Sequence, residues 1–261
     1  EDITYRKIAK EKLFTLAYQD QLTKFGNSSA LHREFPELLN WAKSFVLIEI
    51  SNFQKTINMM GKQKADDVIV YFSNLIQEKL KFKKVKIFRL DNTVLGVVFK
   101  DPDPSEILKK LIHDFKAPVQ INFYDVFISL NIGLTTLEQN HIDSEYALDQ
   151  AMHALEHARS EPGLFFQEYN RDIKKESLIK LKLENNLRNA VKTMDFEMYF
   201  QPKMSLATGE IISSEALIRW HCNKEQWVSP EIFIPMAESL GLMLPLGEWI
   251  LKESCLGAKS W

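Results

Sequence analysis

The 261-residue sequence predicts an α/β fold, a mixed sheet with helices on its faces, followed near residue 170 by a second unit with its own pattern. Three observations lead there. Ser44–Ile50 (SFVLIEI) is an almost unbroken apolar run ending around a carboxylate, as expected of a strand buried on both faces. From Lys64 to Phe82 the apolar positions Ile69, Phe72, Leu75, Ile76 and Leu80 keep a helical period, which describes an amphipathic helix packed on that sheet. From Arg171 a long polar helix leads into two alternating strands.

Taken in order, residues 2–18 read as a charged helix carrying Ile8, Leu13, Leu16 and Ala17. A polar turn at 20–27 ends on Asn27, which caps the next helix. After the buried strand comes a helix at Asn52–Met60 with Gly61 as its C-cap, then the amphipathic helix. Val85–Leu90, Asp91-Asn92 and Thr93–Phe99 form strand, tight turn and strand, because Asp and Asn tolerate the left-handed backbone of a hairpin. Asp103 as cap, Pro104 at the first helical position and Glu106 two further on open a helix to about Phe115. Two strands, 118–124 and 126–134, and a helix at 143–159 complete the first unit. In the second, the helix from Arg171 carries Leu178, Leu181, Leu187 and Val191. Phe196–Met204 and Glu210–Trp220 pair across Thr208-Gly209, and helices follow at 230–240 and 246–261.

Composition excludes several classes of function. Apolar residues make 45% and charged residues 26% of the chain, so disorder is excluded. The formal charge of −2 provides no global basic field for nucleic acid or anionic lipid, and KFKKVK at 81–86 reads as solvated surface. Cys222 and Cys255 stand alone, which argues against a disulfide framework or zinc ribbon and fits a reducing, cytoplasmic compartment. No apolar run approaches the ~20 residues of a membrane span. The chain opens on Glu1 and enters a helical pattern at once, as a piece cut from a longer polypeptide would.

Chemistry concentrates in the strand 210–220. Alternation puts Glu215, Leu217 and Arg219 on one face and Ala216, Ile218 and Trp220 on the other. Glu215 and Arg219 lie ~13 Å apart along the backbone, suited to a metal and a phosphate of one extended ligand. His153-Ala154-Leu155-Glu156-His157 matches the H-x-x-E-H peptidase pattern literally. Yet Leu148, Ala151, Met152, Leu155 and Ala158 form the buried stripe of that helix, which predicts both histidines facing solvent with no cavity for zinc. Neither a phosphate-binding glycine loop nor a G-x-S-x-G elbow is present.

LAYQDQLTKFGNSSAL at 16–31 is similar to the D-x-L-T-G-L-x-N-R opening of GGDEF domains, and FVLIEISNFQKTINMMGKQKADD at 45–67 and SLNIGL at 129–134 extend the likeness. EMYFQPKMSLATGEIISSEALIRW at 197–220 and SPEIFIPMAESLGLMLPLGEWIL at 229–251, followed by KESC, closely resemble the start of EAL phosphodiesterases. The whole chain thus resembles a bacterial tandem GGDEF–EAL protein of cyclic di-GMP signalling. The resemblance implies a signalling helix at 1–18, a nucleotide-cyclase-like GGDEF domain at 19–170, and a linker helix with the first part of a TIM-like EAL barrel at 171–261.

The resemblance also assigns roles. In the cyclase family the strand-end segment reads D-x-D-x-F-K-x-x-N-D; here Glu49, Ser51, Phe53, Gln54, Ile57 and Asn58 fill it, and only Glu49 keeps a ligand-type side chain. The naming hairpin falls on Asp91-Asn92-Thr93-Val94-Leu95, so its glycines are absent and Val94 replaces a metal-binding acid. The inhibitory R-x-x-D falls on Phe82 and Val85, while Asp66 survives and Arg159 stands at a late lysine. A degenerate, non-synthesising GGDEF domain is implied. In the EAL part, Glu215 is implied as a metal ligand, with Gln201, Leu217 and Arg219 on the dinucleotide. The implied cofactor is Mg²⁺ or Mn²⁺, but only with the rest of the barrel, since such barrels need ~250 residues. The implied parent is a phosphodiesterase regulated by its dead cyclase domain and an upstream sensor; the alternative is a cyclic di-GMP receptor or protein-interaction module that does not hydrolyse. An unfinished barrel predicts exposure of Ala216, Ile218 and Trp220 or their helix contacts, leading to aggregation or pairing with another chain.

Overall fold

The computed structural model describes residues 2–51, 53–115, 117–121, 124–137, 142–161, 163–222 and 226–260. They divide into two compact units, one up to Lys174 and one from Lys175.

The first unit opens with α1 (Asp2–Tyr18) and α2 (Ser28–Leu38). Asn27 caps α2 as expected, its Oδ1 accepting the Ala30 N–H at 3.0 Å. There follow β1 (Ser44–Ser51), α3 (Phe53–Met60), α4 (Lys62–Leu80), β2 (Val85–Arg89), β3 (Val94–Phe99) and α5 (Ser105–Asp114). The expected start of α3 at Asn52 lies outside the described residues. Gly61, at φ +81°, receives the end of α3 through its N–H to Ile57 O at 2.8 Å and opens α4 directly. Helix α5 begins one residue later than expected, with Asp103 Oδ1 accepting the Ser105 N–H at 3.0 Å.

The remaining elements are β4 (Val119–Ile121), β5 (Tyr124–Val126), β6 (Ser129–Thr136), α6 (Ser144–Ser160) and β7 (Phe166–Glu168). The two strands expected over 118–134 are corrected to three, with residues 122–123 outside the description. β4 and β5 form a hairpin of their own, because Ile121, Val126 and Ile128 turn into the helix-covered core. The main sheet then restarts at Ser129.

That sheet has the order β2-β3-β1-β6-β7, antiparallel except for the parallel pair β6–β7, so it is mixed as the pattern predicts. β1 is central, and its alternation feeds two cores. Val46, Ile48 and Ile50 join α4 and α5 on one face, and Phe45 and Leu47 join α2 and α6 on the other. α6 lies very close to β6. A Cβ on Gly133 would stand 2.3 Å from Ala151 O and 2.5 Å from Leu155 N, so only glycine permits this approach. Buried Thr135 donates to Gln150 Oε1 at 2.7 Å and fixes the rotation of α6.

Of the stripe expected on α6, Ala151, Leu155 and Ala158 are buried and Leu148 and Met152 only partly, with Ala147, Gln150 and Ala154 buried beside them, and its histidines are not solvent-exposed. His153 and His157 are half-buried, and His153 Nε2 lies 3.5 Å from Asp149 Oδ1. α6 packs on β7, three residues that alternation does not reveal, as well as on β6 and β1, so more of the helix is covered than its apolar stripe predicts.

Helix α7 (Arg171–Thr193) runs across the division into β8 (Glu197–Met204), β9 (Ile211–Cys222), β10 (Gln226–Val228), α8 (Pro230–Ser239) and α9 (Met243–Lys259). The last helix ends before Trp261, which lies outside the described residues. β10-β9-β8 form an antiparallel sheet; no closed barrel exists among the described residues. Ser205 and Gly209 (φ +73°) make the β8–β9 turn.

The expected exposure of the inner strand face is corrected here. Trp220 is 1% and Ile218 9% exposed, and only Ala216 is open to solvent. Phe196, Trp220, Phe233 and Trp249 form one aromatic cluster with centroids 5.6–6.3 Å apart. Leu187, Val191 and Leu246 from α7 and α9 close it, so three helices cover the face that an unfinished barrel was expected to open.

Candidate functional site

In the second unit the register sets Gln201 opposite Glu215, Tyr199 opposite Leu217 and Glu197 opposite Arg219. Directly opposed residues in an antiparallel pair share a face. One face therefore carries Gln201, Glu215, Leu217 and Arg219 together, while Ile218 and Trp220 enter the core behind it.

The sequence reading missed the neighbours of these residues. Lys203 Nζ lies 3.0 Å from Glu215 Oε2, with both side chains about half exposed. Tyr199 sits between the strands, the Arg219 guanidinium 5.8 Å from its centroid and Trp227 edge-on at 5.8 Å. His221 lies tilted against Trp227, ring centroids 3.5 Å apart, and approaches Glu197 at 3.7 Å. Arg219 Nη1 also donates to Ile218 O at 2.9 Å, holding the side chain back along its own strand. The signal for Lys203, Tyr199 and Glu197 was present: they flank Gln201 at two-residue steps along β8, and the Thr208-Gly209 turn fixes the pairing of the strands. Trp227 needed β10, which is too short for a pattern.

The face thus supplies an acid balanced by an amine, a carboxamide, an apolar side chain, and a guanidinium beside aromatic rings. Such a set can hold phosphate oxygens and flat bases. It does not by itself make a metal site: among the described residues no three His, Cys, Asp or Glu side chains converge. Glu215, with Lys203 against it, stands as a single carboxylate here, so a divalent ion at this face would need further ligands.

In the first unit, the ends of β1, β3 and β6 and the C-terminal end of α6 surround a cleft of about 680 Å³ that includes Glu49, Ile57, Asp91, Asn92, Thr93 and Arg159. Arg159 grips Glu49 with two hydrogen bonds, Nε to Oε2 at 3.1 Å and Nη2 to Oε1 at 2.6 Å. Asn131 Nδ2 adds a longer contact at 3.4 Å. Glu49, 13% exposed, already has a cation built into the chain. Val94, opposite Glu49 in the register, is buried and apolar. Asp91 Oδ1 accepts the Asn92 N–H, and Arg89 reaches Asn92 O at 3.1 Å, so the hairpin turn is tied to the sheet. Asn58 accepts from Gln54 along α3 and does not line the cleft; Asp66, on α4, does not line it either. Phe82, by contrast, is 89% exposed.

Comparison with known proteins follows the division of the chain. Residues 17–163 match the family model "Diguanylate cyclase, GGDEF domain" and residues 184–261 match "EAL domain". The bifunctional diguanylate cyclase/cyclic di-GMP phosphodiesterase MucR of Pseudomonas aeruginosa is 26% identical over 97% of this chain and 38% of its own length. The cyclic di-GMP phosphodiesterase PdeR of Escherichia coli is 27% identical over 100% of this chain and 40% of its own. The chain spans about two-fifths of these relatives' length. Among solved structures, Vibrio cholerae LapD S helix-GGDEF-EAL, bound to c-di-GMP, superimposes with a TM-score of 0.57 at 13% identity over 99% of this chain and 62% of that one. A diguanylate cyclase/phosphodiesterase from Caldicellulosiruptor saccharolyticus gives 0.54 at 20% identity over 59% and 94%. The family match covers more than half of the chain, which therefore belongs to the GGDEF-domain diguanylate cyclase family, with an EAL-domain sequence joined behind it in tandem.

Proposed function

We propose that this chain is a regulatory part of a cyclic di-GMP protein, in which the GGDEF domain has lost synthesis and the EAL part retains recognition of the dinucleotide. The observation that carries the reading is the contrast between the two sites. Arg159 neutralises Glu49 and Val94 is buried where the cyclase pattern has an acid. On the β8–β9 face, Gln201, Glu215, Leu217 and Arg219 stay together. In this reading Arg219 meets a phosphate, Leu217 and Gln201 meet the dinucleotide, and Glu215 contributes one metal-binding carboxylate toward Mg²⁺ or Mn²⁺. The remaining ligands would come from a more complete EAL domain, and no hydrolytic step is derived from this chain alone. The exposed Ile8, Leu13 and Leu16 of α1 support its reading as a signalling helix that takes input from an upstream sensor and pairs with a second copy.

A second reading has an observation in its favour. Lys203 already balances Glu215, an arrangement suited to a receptor that binds cyclic di-GMP without cleaving it. Three assays separate the alternatives. The purified chain with GTP and Mg²⁺ or Mn²⁺ yields no cyclic di-GMP above a no-enzyme control; measurable product sinks the degenerate-cyclase reading. The chain alone cleaves no cyclic di-GMP. In any longer product carrying the rest of an EAL domain, Glu215→Ala abolishes metal-dependent cleavage to the linear dinucleotide, whereas tight binding with no cleavage by the unaltered protein promotes the receptor.

A further inference from the structure

The KFKKVK run is solvated surface as expected, and part of it lines a concave one. In the first unit, Lys81, Lys83 and Lys86 meet Lys24 and Arg33 around an open cleft of about 700 Å³ between α1, α2, α4 and β2. The carboxylate among its lining residues is Glu34, and it is shared: Arg33 Nη2 and Lys86 Nζ each reach it at 3.1 Å. Among the described residues, Lys24, Lys81 and Lys83 pair with no carboxylate. Five cations against one anion concentrate positive charge locally in a chain whose formal charge is −2. Lys24 holds a left-handed backbone, φ 63°, a conformation glycine adopts more readily. Its turn is secured from below, where Arg89 Nη1 donates to both carboxylate oxygens of Asp20 at 3.0 Å.

We propose that this basic cleft binds an acidic segment of a partner polypeptide. The surface is concave and its cations come from separate elements, which suits a chain laid along it better than a flat bilayer. The Arg33 guanidinium lies 4.0 Å from the Tyr18 centroid and 4.5 Å from that of Phe14, so a cation already occupies the aromatic wall where a nucleotide base would stack. The other walls, the partly exposed Val85 and Ile87, are aliphatic and fit an apolar side chain between acids. Flexible lysines recognise spaced carboxylates without demanding one geometry, and their attraction is screened by salt.

The test is fluorescence anisotropy of the full chain with a fluorescein-labelled (Glu-Glu-Leu)₃ peptide. Saturable binding is expected, weakening about tenfold between about 50 and about 200 mM NaCl. Lys24→Glu with Lys83→Glu should cost at least about tenfold in affinity, with thermal denaturation checking that the variant is folded. Lys109→Glu with Lys110→Glu, the same charge change on α5, should stay within about twofold. Equal losses in both variants, no saturation, or no loss in the cleft variant overturns the proposal. So does displacement of the peptide by stoichiometric pyrophosphate, or capture of the chain by phosphatidylserine vesicles when the peptide is not bound.

Discussion

Replacing Gly133 by alanine puts a methyl 2.3 Å from Ala151 O, 2.5 Å from Leu155 N and 2.9 Å from Leu155 Cα. All three are backbone atoms of α6, so no rotamer change relieves the clash; the helix itself has to move off β6. Overpacking of this kind costs typically ~1–3 kcal/mol, and a clash with rigid backbone belongs at the upper end. For a unit of this size ~3 kcal/mol corresponds to a fall in Tm of roughly 6–12 °C. Gly163→Ala is the control, because nothing lies within 4 Å of its added Cβ. Its positive φ of 82° alone should cost about 1 kcal/mol. Calorimetry and denaturant unfolding measure both. The displacement should also pull Arg159, near the end of α6, away from Glu49, which the Arg159 Nε resonance reports. A Gly133 variant as stable as the Gly163 variant, with that resonance unmoved, refutes the close-packing argument.

Arg159→Met leaves Glu49 half-enclosed without its cation and should cost about 1–2 kcal/mol, discounted because the arginine is half exposed; adding Glu49→Gln should recover most of the loss in a double-mutant cycle. For Asp20, burial favours the neutral form, but hydrogen bonds from the Thr23 N–H and hydroxyl and from Arg89 outweigh it and lower the carboxyl pKa below the usual 3.8. A lowered folded value means stability that is present above 3.8 and lost as pH falls through the folded value. Asp20→Asn should therefore be less stable than the unaltered chain at neutral pH, with the gap closing only below about pH 4 in acid titrations followed by circular dichroism. Trp220→Ala removes the centre of the aromatic cluster and should cost ~3–5 kcal/mol, melting the second unit while the first keeps its own transition in calorimetry.

The legible parts of this fold were those with long patterns or explicit punctuation. β1 read as buried on both faces because Val46, Leu47 and Ile48 leave no polar position, and Asn27 announced α2 as its capping residue. The shared face of Glu215 and Arg219 followed from two-residue periodicity alone. β7 and β10 have three residues each, too few for alternation to declare itself. The packing of α6 on β7 went unread with it. Lys203 was readable but passed over, because its partner Glu215 became visible only with the hairpin register. The Arg159–Glu49 pair joins residues 110 apart in sequence, and no local pattern announces such a contact. The burial of Trp220 depended on α7 and α9 closing over the strands, a tertiary event that strand periodicity does not encode.

That aromatic core has a consequence for the order in which the protein is made. At roughly 5–20 residues per second, the strands bearing Glu215 and Arg219 leave the ribosome a few seconds ahead of α9. A nascent pair of strands with a bare apolar face would be a target for chaperones and for neighbouring chains. Here Phe196, Trp220, Phe233 and Trp249 give the emerging segment an apolar interior as soon as α9 is out. The face carrying Glu215 and Arg219 is then held in register by a packed interior instead of resting on a loose hairpin.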